Sequence, residues 1–287
     1  MSRSEIFNEH RSLLMSIAYR MLGSHADAED AVQEAFLRWQ NAANEHFQTP
    51  KAYLSTIVTR LCIDQLRSAR SRREVYIGPW LPEPMLTSRQ RQTTSKVELA
   101  ESLTMAFLVL LESLSPVERA AFLLHEVFDY DYKETAEIVG KTEANCRQMI
   151  HRAKEYIASK HHRFDPTREE TERVATEFLE ATQNGDLSRL MKLFAPDAVL
   201  FSDGGGKVRA ALNPIHGPDA IARFTIGVVK KNLPPDAVHA PGEVNGQPAF
   251  VTWIGGQLAY VTVLDIRDGL IRHVFVVLNP EKLSRVE

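Results

Sequence analysis

SPVERAAFLLHEVFDYDYKETAEIVGKTEANCRQMIHRAKEYI, residues 115–157, is the stretch on which the fold of the N-terminal half turns. Ser115-Pro116-Val117-Glu118 places a serine cap, a proline at the first helical position and a glutamate three residues after the cap, which together start a helix. That helix is expected to reach about Phe128, where Asp129-Tyr130-Asp131 breaks it. Asp131 and Glu134 form a second capping pair that opens a short helix to Val139. Gly140 then turns the chain, and Thr142 caps a third helix. On this third helix Cys146, Met149, Ile150, Ala153 and Ile157 recur at helical spacing as an inward stripe. The opposite face carries Asn145, Arg147, Gln148, His151, Arg152 and Lys154. The arrangement is that of a helix-turn-helix, and donors gathered near the start of its last helix, with Thr142, suit the base edges and phosphates of duplex DNA. A plain three-helix bundle with a solvated polar face satisfies the same spacing.

Working outward toward the N-terminus, residues 1–73 read as helices. Ile6, Phe7, Leu13, Leu14, Ile17, Ala18, Met21 and Leu22 recur at helical spacing. Ser24 caps a second helix whose apolar face is Ala31, Val32, Ala35, Phe36 and Trp39 and whose other face sets Asp27, Asp30 and Glu34 at i, i+3 and i+7. Like charges at that spacing repel mildly, so an external cation would relieve them; a solvated surface helix has the same look. After a polar break from Asn41 to Pro50, a long helix runs from about Lys51 to Ser71. It carries Arg60, Arg67, Arg70, Arg72 and Arg73 beside Gln65 and Ser68, with Trp39, Phe47 and Tyr53 nearby. Arginines with aromatic rings suit single-stranded DNA, where rings stack on bases and guanidinium groups meet phosphates. Trp39 and Tyr53 are expected in the core, and Phe47 is left open.

Toward the C-terminus the composition changes twice. Gly78, Pro79, Pro82 and Pro84 forbid regular helix, and Arg89 to Ser95 is polar, so 74–95 reads as a linker before helices resume near Lys96. Asp165-Pro166 marks a second boundary. A helix at about 168–183 is followed by strand-like segments, Ala198–Phe201, Ala249–Ile254, Leu258–Asp265 and Leu270–Leu278, with Gly255-Gly256 and Asp268-Gly269 where hairpin turns belong and a helix from Pro218 to about Lys230 between them. That is an α+β domain, expected to hold a curved antiparallel sheet.

The 287 residues allow two or three small domains, and 44% hydrophobic with 25% charged residues fits an ordinary globular chain. No apolar run approaches the about 18–20 residues of a membrane helix, and Met1 to His10 lacks the positive-then-apolar pattern of a secretory signal, so a cytoplasmic location is expected. The two cysteines, Cys62 and Cys146, fall in apolar helical positions and read as buried thiols. The net charge of −3 argues against a globally basic nucleic-acid binder. Charge is instead bunched, with four arginines between Arg67 and Arg73 and four acids between Asp27 and Glu34, as suits a chain that meets both a basic protein surface and a phosphate backbone.

Taken together and in this order, the segments resemble the extracytoplasmic-function (ECF) sigma factors of RNA polymerase over residues 1 to about 162. By that resemblance residues 27–38 are the polymerase-binding helix of region 2, with Asp27, Asp30, Gln33, Glu34 and Arg38 docking on the core enzyme. Residues 44–73 would melt and read the downstream promoter element, a flipped base entering near Asn44 to Thr49. Residues 115–157 would be region 4, reading the upstream element as duplex. A narrower resemblance, to the SigJ-like subgroup with a fused C-terminal SnoaL-like domain, rests on Trp80-Leu81-Pro82-Glu83-Pro84, Asp203-Gly204-Gly205-Gly206-Lys207 and Asn279-Pro280-Glu281-Lys282-Leu283. It implies that the fused domain regulates the sigma domains in cis. The expected fold is therefore multidomain: an all-α region 2 helical bundle (1–73), a linker (74–95), an all-α region 4 helix-turn-helix domain (96–163), and an α+β cone-shaped SnoaL-like domain (167–287).

The glycines at 204–206 would let that loop approach another backbone, and Lys207 is expected to pair with an acid such as Glu83. Partners implied are RNA polymerase core, promoter DNA in duplex and melted form, and a small-molecule ligand in the C-terminal domain. No cofactor, metal or catalytic residue is expected. Asp203, His216, Asp265 and His273 are the polar groups an enzyme would draw on, the facing of His273 being open. Two other readings use the same residues: a ligand-sensing repressor or activator that relies on 115–160 alone, and a SnoaL-type enzyme with a helical appendage. The acidic helix separates the first of these from a sigma factor, since a repressor has no need of it.

Overall fold

The computed structural model describes residues 2–42, 49–73, 76–86, 103–160 and 167–284. They fall into two compact units. One draws on residues 2–73 and 107–160, the other on 76–86, 103–106 and 167–284. Asn44, Phe47, the region near Lys96 and Asp165-Pro166 lie outside the described residues, as do the side chains of Arg70, Arg72 and Arg73.

The first unit is all helix: α1 Arg3–Leu22, α2 His25–Asn41, α3 Pro50–Arg73, α4 Met105–Leu111 from Phe107 onward, α5 Pro116–Phe122, α6 Tyr132–Val139 and α7 Glu143–Lys160. Its helix starts are chemically specified. Ser2 with Glu5, Ser115 with Glu118, and Asp131 with Glu134 each form a reciprocal capping box, and Ser24 accepts the amide of Asp27. Gly140, at φ +67°, turns α6 into α7 in a conformation that costs other residues about 1–2 kcal/mol. Leu14, Ile17, Met21, Leu54, Leu111, Leu123 and Ile150 are fully buried and tie α1–α3 to the helix-turn-helix. Burying each such side chain stabilises by about 1.5–3 kcal/mol.

The helix expected to run from Ser115 to Phe128 is not uniform. After Phe122 it widens into a π turn, Leu123–Val127, and the Phe128 amide reaches back to the Leu123 carbonyl. Asp129 then takes a left-handed conformation, φ +58°. The widened turn delivers Tyr130 into the interior, where its hydroxyl lies 2.7 Å from Ser55 Oγ of α3. Cys62 and Cys146 are buried, as expected, and burial pushes both thiols up. Trp39 is buried with its ring 5.7 Å from that of Tyr53, which is core packing rather than a stacking platform.

The second unit is α+β: α8 Arg168–Asn184, α9 Leu187–Lys192, β1 Phe194–Asp203, β2 Ile215–His216, α10 Pro218–Asn232, β3 Val238–Val244, β4 Gln247–Ile254, β5 Gln257–Arg267, β6 Leu270–Val277 and α11 Pro280–Leu283. The strands make one six-stranded sheet in the order β2-β1-β6-β5-β4-β3. The sheet is mixed, not wholly antiparallel: β1 and β6 run parallel, Leu200 opposite Val274 and Asp203 opposite Val277. A parallel pair needs a long crossover, and here α10 and the β3–β5 hairpins supply it. Strand alternation sorts two faces. Leu200, Phe250, Leu264 and Val274 face α8 and α10 and form the core. Phe201, Asp203, Asp265, His273 and Phe275 occupy the other face, which settles the direction of His273.

Candidate functional site

In the first unit the acidic face of α2 is presented outward. Asp30, Gln33 and Arg38 are exposed, Asp27 and Glu34 half-buried, and Arg38 pairs with Glu34 at 2.8 Å. Leu37, 47% exposed, lies on the same side, so an apolar contact sits among the charges. The partner face holds Phe36 on Phe7, ring centroids 4.8 Å apart.

On α7 the buried stripe is Cys146, Ile150, Ala153 and Ile157, with Met149 half-buried. Asn145, Arg147, Gln148, His151, Arg152 and Lys154 are all exposed, and Thr142 Oγ1 accepts the Asn145 amide at 3.2 Å. Several of these cations rest on carboxylates: Arg147 on Glu143 (2.5 Å), Arg152 on Glu118 (3.5 Å) and Lys154 on Glu126 (2.7 Å). Arg147 also lies 4.1 Å from the centre of the Tyr132 ring. On α3, Arg67 is exposed beside Asp64, whereas Arg60 donates to the carbonyls of Glu137 and Ile138 at the end of α6, 3.1 Å each. A second arginine, on α5, ties α1 and α4 to the helix-turn-helix. Arg119, buried, donates to the Met21 carbonyl at 2.6 Å and the Leu111 carbonyl at 3.0 Å and pairs with Glu112. Burial lowers its pKa to about 10.

In the second unit the three short patches singled out in the sequence come together around one carboxylate. Asp203 is fully buried at the end of β1. It accepts from the Tyr76 hydroxyl (2.5 Å), the Leu81 amide (2.8 Å), the Gly205 amide (3.0 Å) and Lys282 Nζ (2.7 Å). Its own carbonyl accepts the Leu278 and Asn279 amides. Lys282, also buried, donates to the Leu81 carbonyl at 2.5 Å and lies 4.2 Å from the Trp80 ring centre. Asn279 caps α11 and reaches the Tyr76 hydroxyl at 3.2 Å. Leu81, Pro82, Pro84 and Leu283 are buried or nearly so, Glu83 is half-buried, and Pro280 and Glu281 are exposed. Burial and the bond to Asp203 push the Tyr76 hydroxyl well up.

The glycine turn is required sterically. A Cβ on Gly205 would overlap the Asn279 amide, and one on Gly206, at φ +72°, would come 2.8 Å from Ile77. Lys207 pairs with Glu281 of α11, not with Glu83: the turn carries it toward the C-terminal patch, while Glu83 lies on the linker.

A second anchor was not foreseen. At the β3–β4 turn, Asn245 (φ +53°) exchanges backbone and side-chain bonds with Met85, 2.8 and 2.9 Å, and donates its side-chain amide to the Leu103 carbonyl at 2.9 Å. Next to it Gln247 accepts the Met105 amide at 2.7 Å and reaches Asp265, which holds His273 at 2.7 Å and Arg267 at 3.1 Å. Asn245-Gly246 is a strong hairpin dipeptide and was the available signal. Asp265 and His273 thus form a bonded pair on the linker side of the sheet.

The opposite side of the sheet holds a cavity of about 790 Å³ between β-strands, α8 and α10. Neither Asp265, His273, Asp203 nor His216 lines it. Among the described residues no group of three or more His, Cys, Asp or Glu is placed to hold a metal, and no helix is long and apolar enough to cross a membrane.

Comparison with known proteins agrees with this division. Residues 6–72 match the model of sigma-70 region 2, residues 104–157 that of sigma-70 region 4, and residues 175–274 that of the SnoaL-like domain. The chain is 36% identical over 291 residues to the ECF RNA polymerase sigma factor SigJ of Mycobacterium tuberculosis, covering 97% of this chain and 92% of that protein. It is 26% identical to SigG of the same organism over 94% of this chain and 79% of the other. The crystal structure of the M. tuberculosis SigJ superposes with a TM-score of 0.79 at 33% identity, covering 99% of both chains.

Proposed function

The chain belongs to the ECF RNA polymerase sigma factors, and from that premise we propose that its SnoaL-like domain governs promoter use in cis by holding the segment that joins the two DNA-reading halves. As a sigma factor it binds RNA polymerase core and promoter DNA and directs initiation; sigma factors are not enzymes. The residues that would do this are the outward side chains of α2 (Asp27, Asp30, Gln33, Glu34, Arg38) for core polymerase, and Arg60, Arg67, Arg70, Arg72, Arg73, Asn44 and Phe47 for the melted strand. On duplex DNA they are Thr142, Asn145, Arg147, Gln148, His151 and Arg152. Domains divided at 1–73, 74–95, 96–163 and 167–287 serve this scheme, in the cytoplasm where core polymerase works.

The observation that carries the regulatory reading is the set of contacts on Asp203. Residues 76–86 belong to the segment between α3 and α4, and Tyr76 and Leu81 are bonded to a buried carboxylate that Lys282 neutralises. Asn245 then holds Met85 and Leu103, the two sides of the intervening chain. Tethered segments meet at effective concentrations of about mM, so a few such bonds suffice to keep the joining segment docked. A docked segment has less slack with which region 4 can reach the upstream element while region 2 holds the melted one. The cavity of the same domain would take a small molecule as the signal.

Reconstituted run-off transcription with core polymerase tests this. Full-length protein, a 1–165 truncation and Lys282→Met should differ in promoter output by several-fold. Equal output from all three refutes regulation in cis. Charge reversal at Asp30 and Glu34 should abolish polymerase binding; in a plain repressor the same change would leave operator binding by α7, its whole function, intact.

A further inference from the structure

We infer that the cavity of the SnoaL-like domain binds an apolar molecule with a carboxylate head, and that the bound molecule strengthens the docking of the linker on Asp203. The inference rests on regulation in cis by this domain and names the ligand class and the route.

The cavity's chemistry fixes the class. Its body is apolar, walled by Phe178, Leu179, Leu200, Phe250, Val274 and Val276, and about 790 Å³ falls within the range of small-molecule sites. No aspartate or glutamate lines it. Three basic side chains do, Arg209, Arg223 and Lys231, and all are exposed, which puts them at the mouth. Arg223 is tied to Asp219 on its own helix, so Arg209 and Lys231 are the cations best placed to meet an anion. His239, hydrogen-bonded to Thr252 at 2.9 Å, adds no charge: burial lowers its pKa, so it stays neutral at neutral pH. Apolar walls and a basic lining without acids select an amphiphilic anion over a cation or a sugar.

The coupling follows from the strands. Ser202 and Val276 line the cavity, and the next residue of each, Asp203 and Val277, points to the linker side. Beyond β1, the Lys207 and Val208 amides both bond to the Gly204 carbonyl, and the chain leaving that turn, Val208 to Ala211, is cavity wall. Beyond β6, Leu278 is also wall, and its amide bonds to the Asp203 carbonyl. The wall formed by Val208 and Leu278 is therefore in place when the Gly204–Lys207 turn and α11 are in place, and these are held by Ile77, Tyr76 and Leu81 of the linker. A ligand that packs on this wall favours the docked linker, and by reciprocity the docked linker favours the ligand.

Decanoate, decanol and decyltrimethylammonium share one apolar chain and differ in head charge. Titrated calorimetrically into the full-length protein, decanoate should bind at least about tenfold tighter than the ammonium, with decanol between them. No binding, or equal binding of the three, overturns the ligand class. Val276→Trp fills the cavity and should abolish decanoate binding without loss of the cooperative melt; retained binding places the site elsewhere and overturns the assignment. Tyr76→Phe and Lys282→Met loosen the linker, and each should weaken decanoate binding at least about fivefold, the low end of ordinary allosteric coupling. Unchanged affinity in Tyr76→Phe, which keeps the buried charge pair and so holds even if Lys282→Met does not fold, overturns the coupling. All of these read binding alone. Coupled binding with unaltered transcription would sink regulation in cis and leave the ligand site standing.

Discussion

Lys282 and Asp203 are each under a tenth exposed and 2.7 Å apart, so neither charge has water to fall back on. Such a pair adds little net stability relative to an apolar replacement of both, but removing one partner strands the other and costs about 3–5 kcal/mol. Lys282→Met should therefore destabilise the C-terminal domain by that much in urea unfolding, and a Lys282→Met, Asp203→Leu double variant should regain part of it; if the single variant melts like wild type, Asp203 is not a buried anion. Asp265 makes a prediction about pH. Burial alone would raise its pKa, but the hydrogen bond from His273, with the charges of Arg267 and His273, outweighs it and leaves the carboxyl below the ordinary value. A carboxylate depressed in the folded state contributes stability that is fully present above the unfolded value of about 3.9 and fades as pH falls through the folded value. Urea midpoints should drop as pH falls from about 5 to 3, and the drop should shrink in Asp265→Asn. A slope unchanged by that substitution would assign it to other groups.

Among the elements, α7 is a helix whose inner stripe is fixed by packing and whose outer face is left to chemistry. Arg147 pairs with Glu143, but both are about half exposed, so the pair is worth well under 1 kcal/mol to the fold. Arg147→Ala should leave the melting midpoint nearly unmoved while weakening binding to duplex carrying the upstream element by about 1–3 kcal/mol if the guanidinium reads a base. A fluorescence-anisotropy titration at fixed salt checks it, and equal affinity would remove Arg147 from the interface. This helix was readable in sequence because its information is local: Ser115 with Glu118, Asp131 with Glu134, Gly140 and Thr142 all act within a few residues. The π turn at Leu123–Val127 was not, because its cause is tertiary, the Tyr130 hydroxyl finding Ser55 on α3, 75 residues away in sequence. Edge strand β3 was missed because Val238–Val244 carries Pro241 and Gly242, which an edge tolerates and a propensity reading rejects. The Asp203 patches were legible as motifs, through resemblance. Tyr76, Asn245 and Gln247 were not: their roles exist only when segments more than a hundred residues apart meet.

For the whole molecule, the first unit poses a geometric problem that bears on the joining segment. Within that unit α3 is engaged with the helix-turn-helix: Arg60 is bonded to the carbonyls of Glu137 and Ile138 and Ser55 to Tyr130, while Arg119 ties α5 to Met21 of α1. An arginine occupied by carbonyls is not free for phosphate, and a promoter reader must set its two halves on elements separated along the DNA at about 3.4 Å per base pair. On the proposed reading, Arg60 would exchange its bonds to the Glu137 and Ile138 carbonyls for a phosphate during initiation, and the joining segment would supply the chain length. Residues 76–86 and 103–106 are held by Asp203, Asn245 and Gln247 on the C-terminal domain, and the hold on Asp203 is completed from the far end of the chain by Asn279 and Lys282. Removing residues 279–287 deletes that completion while leaving every residue of α1–α7 in place. The truncated protein should keep the helical melt of its first unit, since none of that unit's buried contacts is lost. It should also shift run-off transcription by several-fold relative to full length, because a released linker changes how readily region 4 reaches its element. Hydrogen exchange should report the cause directly, with the Leu81 and Met85 amides losing protection in the truncation. Unchanged exchange at those amides, or unchanged transcription with exchange raised, would separate the docking from its consequence and count against control through the linker.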